Sequence, residues 1–83
     1  IERTAHFFLE LHERLQLVGL ARDAEFICPL NQYVLADALG LSAIHVNRVL
    51  RQLRERKLMM FRGRKVFIEN PRELKLLAGF QAQ

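Results

Sequence analysis

The break at Gly40–Leu41–Ser42 separates two short stretches of helical periodicity, and it constrains the fold more than any other feature of the chain. Before it, Val34, Leu35, Ala38 and Leu39 form one stripe of a helix running from about Gln32 to Leu39. Asn31 stands where a side-chain oxygen can cap that helix, and Gly40 supplies its stop. After the break, Ser42 is the natural cap of a second helix over 42–57, in which Val46, Val49, Leu50 and Leu53 follow i, i+3, i+4, i+7. Helices this short are marginal alone, so both must bury their stripes in a shared core. Two such helices joined by a tight glycine-containing turn form a helix-turn-helix pattern.

The flanking segments extend this unit. Glu2 to Val18 is expected to be a helix, with Phe8, Leu11, Leu15 and Val18 on one stripe beside Ala5 and a Glu10–Arg14 pair on its exposed side. Gly19 ends it, and a loop is expected to Glu25. Phe26–Ile27–Cys28, followed by Pro29, has the composition of an edge strand that stops there. After Leu58 the period changes. Met59–Met60–Phe61 and Val66–Phe67–Ile68 are β-prone runs joined by Arg62–Gly63–Arg64–Lys65, where Gly63 accommodates the positive φ of a tight hairpin. Asn70, Pro71 and Glu73 mark the start of a last helix, with Leu74, Leu77 and Ala78 turned inward. The expected fold is mainly α with a small β-hairpin: a winged helix-turn-helix with a three-helix core, a wing and a short C-terminal helix.

Composition narrows the class. The chain has 83 residues, about half of them hydrophobic, which suits one folded domain over 1–83 and is too apolar for a disordered segment. One cysteine, Cys28, permits no internal disulfide and belongs to no zinc pattern; it is expected to be a buried small hydrophobe in a reducing, cytoplasmic setting. No apolar run nears the roughly 20 residues of a membrane span, and there is no signal-peptide pattern. Paired carboxylates, a nucleophile elbow, a phosphate-cradling glycine loop and a metal cluster are all missing from the sequence, which argues against an enzyme. Because periodicity starts at Ile1 itself, the expectation is a piece of a longer protein.

The net charge of +4 is unevenly spread. From His45 to Lys65 eight basic residues face one acid, Glu55, a local excess of seven that leaves the remainder three negative. A concentrated basic segment is the electrostatic footprint of a nucleic-acid binder, and equally that of a solvated face. Its placement favours the former. On a wheel of about 100° per residue, Ile44, Arg48, Arg51 and Glu55 lie opposite the buried stripe, with His45 and Gln52 on one flank and Asn47 and Arg54 on the other. The first helix of the pair can brace across a DNA backbone while the second lies in the major groove and the basic wing reaches flanking phosphate.

From Leu30–Asn31–Gln32 through Ala36–Asp37–Ala38–Leu39–Gly40–Leu41–Ser42, His45–Val46–Asn47–Arg48–Val49–Leu50–Arg51–Gln52–Leu53, Lys57–Leu58 and Arg62–Gly63–Arg64, the chain resembles the C-terminal domain of Crp/Fnr-type bacterial transcription regulators. Arg3–Thr4–Ala5 and Asn70–Pro71–Arg72–Glu73–Leu74 extend the resemblance over nearly the whole chain, and Leu39 to Leu58 is its most specific part. The resemblance implies a homodimeric regulator whose effector-sensing β-barrel and dimer helix precede Ile1, so the fragment alone is expected to be monomeric or weakly dimeric. No cofactor is expected in this domain; an effector such as a cyclic nucleotide, haem or an iron–sulfur cluster would belong to the preceding domain. Double-stranded DNA is the implied partner, with RNA polymerase as a further one and no membrane.

By the same resemblance, Ser42 contacts phosphate at the helix start, Arg48 reads guanine, Arg51 lies near the DNA and Arg62 touches phosphate from the wing. Ala43 and Ile44 depart from the polar, base-reading residues of relatives of the catabolite activator, so the target sequence is expected to differ. Ile44 is able to meet a thymine methyl, and His45 and Asn47 are candidates for polar readout. The base-facing set is thus Arg48, Ile44, His45, Asn47 and Ala43. Ser42, Arg51, Arg54, Arg62, Arg64, Gln32 and Tyr33 form the phosphate set. Several of these remain open between two roles: His45 as a capping residue, Asn47 as a phosphate contact, Tyr33 as a packed side chain, and Ser42 as a cap first and a phosphate ligand second. The competing function is a winged-helix protein–protein interaction module without DNA binding, which would call for a neutral or acidic outer face. RNA binding would call for exposed stacking aromatics, of which the basic segment offers only Phe61.

Overall fold

A computed structural model describes residues 1–22 and 24–79. The chain runs α1 (Glu2–Leu17), β1 (Ala21–Arg22), β2 (Glu25–Ile27), α2 (Gln32–Leu39), α3 (Ala43–Glu55), β3 (Met59–Arg62), β4 (Lys65–Ile68) and α4 (Pro71–Ala78). The strands form one antiparallel sheet in the order β1-β2-β4-β3. α1 packs on α4 and touches β1, α2 packs on α3, and α3 continues onto β3. Between these layers Phe8, Leu35, Leu53, Met59, Ile68 and Leu74 are fully buried.

Local chemistry explains the helix ends. Asn31, Ser42 and Asn70 each accept a hydrogen bond from the amide three residues on, at 2.9, 3.1 and 3.3 Å. α2 closes in a Schellman motif: Leu41 N–H bonds Ala36 O at 2.8 Å and Gly40 N–H bonds Asp37 O at 3.1 Å, with Gly40 at φ 70°. The turn into α3 is therefore set by residues 36–42 themselves. α3 closes the same way. Leu58 N–H bonds Leu53 O and Lys57 N–H bonds Arg54 O, and the buried Leu53 and Leu58 supply the motif's apolar contact. Here the left-handed position is held by Lys57 at φ 57°, the only non-glycine residue with positive φ among those described.

Several expectations need correction. The segment Phe26–Ile27–Cys28 is not an edge strand: β2 pairs with β1 on one side and β4 on the other, since the expected loop after Gly19 contains β1. Pro29 lies beyond the ladder, where its missing N–H costs nothing. The first helix ends at Leu17, so Val18 lies past it as the C-cap and is exposed, while Leu9 and Thr4 are buried, because α1 packs against α4 as well as the sheet. On α2 the buried small residue is Ala36 rather than Ala38, and Val34 is 47% exposed. The helix expected over 42–57 is shorter, since Ser42 is its cap and Lys57 lies past its end. Of the two methionines expected in the core, Met59 is buried and Met60 only half-buried. The wing strands each gain a residue, pairing Arg62 with Lys65 around Gly63–Arg64, and Gly63 has the expected positive φ of 63°.

Candidate nucleic-acid interface

The site is the outer surface of α2 and α3 with the adjoining wing. α3 is strongly two-faced: Val46, Val49 and Leu53 are buried, while Ile44, His45, Asn47, Arg48, Arg51, Gln52 and Arg54 are exposed. Ile44 stands 73% exposed, a large apolar side chain in a field of arginines. Ala43 is half-buried in the first turn, and Tyr33 projects from the first turn of α2 at 78% exposure rather than packing. Among the described residues, Arg48, Arg51, Arg54 and Arg62 enter no ion pair or side-chain hydrogen bond; the ion pairs there lie on α1 and between Lys65 and Glu25. Their guanidinium donors are therefore available to an external anion.

Capping already occupies one expected contact. The Ser42 hydroxyl oxygen accepts from His45 N–H at 3.1 Å, which leaves its own O–H free to donate outward. On the other flank, Gln32, Asn47, Leu50, Arg51, Arg54 and Phe61 line a cleft of about 290 Å³ between the start of α2, α3 and β3. Leu50, expected in the buried stripe, is only half-buried and lines this cleft, and no local pattern in the sequence marks Phe61 for it. Phe61 is distant in the chain from Gln32, and the turn at Lys57–Leu58, which carries β3 back onto α3, brings it there.

The wing is less uniform than its charge suggests. Arg62 lines the sheet's outer face with Met60, Lys65 and Phe67. Arg64 instead turns back, its guanidinium donating to the Pro29 carbonyl while its own carbonyl accepts from Cys28 N–H at 2.6 Å. The wing tip is thereby fastened to the loop that carries Asn31, the cap of α2. Cys28 beneath it is fully buried, and burial pushes its thiol above the ordinary range, with a Leu30 backbone hydrogen bond and the Arg64 charge pulling partly back. A thiol so held stays protonated and unreactive. No group of three or more His, Cys, Asp or Glu side chains suited to a metal occurs among the described residues.

This arrangement agrees with a known family: the model of the Crp-like helix-turn-helix domain matches residues 2–77. The chain is a Crp-like helix-turn-helix domain. It resembles the corresponding part of Crp/Fnr-type regulators, and DNA binding is the class of function that goes with such a domain. FixK2 from Bradyrhizobium japonicum is similar over 98% of this chain and 39% of its own, at 32% identity and a TM-score of 0.78. Oxidised CprK in complex with o-chlorophenolacetic acid is similar over 96% of this chain and 33% of its own, at 25% identity and a TM-score of 0.75. Unbound oxidised CprK matches with a TM-score of 0.71 at 25% identity, over 90% of this chain and 36% of its own. The Crp-like domain thus spans well under half the length of these relatives. No match was found among curated protein sequences. No helix among the described residues is long and apolar enough to cross a membrane.

Proposed function

We propose that this domain binds double-stranded DNA sequence-specifically, with the N-terminal turns of α3 in the major groove and the wing on flanking phosphate. The observation that carries the reading is the outer face of α3, where exposed arginines that enter no ion pair among the described residues follow soon after the Gly40 turn. A face made for another protein would leave so much unneutralised like charge costly to bury. Arg48 is the base reader, bidentate to guanine, and Ile44 meets a thymine methyl beside it. Ser42, Arg51, Arg54, Arg62, Gln32 and Tyr33 hold backbone, while Arg64 serves first to fix the wing.

By the same reading the domain is the output part of a longer, homodimeric, cytoplasmic regulator whose effector-sensing part lies outside these residues, with RNA polymerase as a downstream partner. Selection of bound duplexes from random DNA, followed by titration against salt, tests the proposal. The expected result is an enriched half-site, together with affinity that falls steeply and linearly in log–log form as salt rises. Salt-insensitive binding, or no enrichment over random sequence, contradicts it.

A further inference from the structure

The flank of α3 facing β3 differs from its outer face in being concave. The cleft there gathers two guanidiniums, from Arg51 and Arg54, and two side-chain amides, from Gln32 and Asn47, over an apolar floor of Leu50 and Phe61. Nothing internal neutralises it: Arg51 and Arg54 enter no ion pair among the described residues, and neither does Glu55, the one acid of the segment. Gln32 is the first residue of α2, so the positive end of that helix borders the cleft. That floor is anchored to the core, because the Phe61 ring meets the fully buried Phe8 edge-on, with centroids 5.7 Å apart. The volume of about 290 Å³ far exceeds the roughly 10–15 Å³ that one water needs on the same measure, so the cleft has room for a group of several heavy atoms.

We infer that this cleft seats a single backbone phosphate of the DNA duplex, bracketed by Arg51 and Arg54, with Gln32 and Asn47 donating to its oxygens and Leu50 and Phe61 against the adjoining deoxyribose. The inference rests on the DNA-binding reading above and goes beyond it in two ways. It joins residues from α2, α3 and the wing into one phosphate site, and it removes Asn47 from the base-reading set.

The test is a methylphosphonate scan, which neutralises one phosphate at a time, on a duplex selected by the wild-type chain. For the wild type, one position in the half-site is expected to cost about tenfold in affinity, the scale of one charge-assisted hydrogen bond. In the Arg51→Ala/Arg54→Ala variant, checked for its helical circular dichroism, that same position is expected to cost nothing further, while penalties elsewhere persist. The variant is also expected to lose affinity equally on selected and scrambled duplexes and to show a shallower salt slope. Asn47→Ala is expected to leave base preference unchanged. A penalty pattern identical in wild type and variant, or a changed base preference in Asn47→Ala, overturns the phosphate seat while leaving DNA binding intact. Failure of the wild type to bind any duplex overturns the functional reading together with it.

Discussion

The two faces of α3 obey opposite rules although they alternate within the same 13 residues. The inner face carries Val46, Val49 and Leu53, all buried, and its role is complete within the fold. The outer face carries Ile44, Arg48 and Arg51, all exposed, and neither arginine enters an ion pair or side-chain hydrogen bond among the described residues, so its interactions are expected from outside. The difference separates stability from binding. Inner positions should change folding free energy, and binding only through it; outer positions should change binding and leave folding untouched.

The largest expected departure is on the inner face. Leu53 is fully buried and also anchors the Schellman contact with Leu58, so Leu53→Ala is expected to destabilise by about 2–5 kcal/mol, measured by denaturant unfolding. A loss below about 1 kcal/mol would mean that the two faces are not as distinct as their burial implies.

A smaller effect lies where the helix ends. Lys57 occupies a left-handed conformation that glycine adopts at no steric cost, as Gly40 does at the end of α2. Lys57→Gly is therefore expected to raise stability by up to about 1 kcal/mol in the same unfolding experiment. A destabilised variant would show that the lysine side chain contributes more than its backbone strain removes.

Most of the helical frame was legible because its signals are local. Asn31, Ser42 and Asn70 cap amides three residues away, Gly40 and Gly63 occupy positive-φ positions, and the α3 stripe lies at fixed spacing. The errors arose where distant segments decide. β1 is only two residues long and owes its existence to pairing with β2, so neither composition nor period announces it. Leu9 and Thr4 are buried because α1 is covered from more than one side, which a single-stripe reading misses. The same limit applies to the interface. Outward arginines follow from the helical wheel, but the Arg64–Pro29 contact and the cleft beside Phe61 depend on where the wing folds back.

The central claim is that the first turns of α3 discriminate between bases, with Arg48 as the anchor. Its most direct test compares Arg48→Ala with wild type on a selected duplex and on a scrambled one at the same salt concentration. The account predicts a loss of about 1–3 kcal/mol on the selected duplex, a relaxed preference at one base pair, a much smaller loss on the scrambled duplex and unchanged folding stability. Equal losses on both duplexes would contradict it and reduce Arg48 to one more phosphate contact.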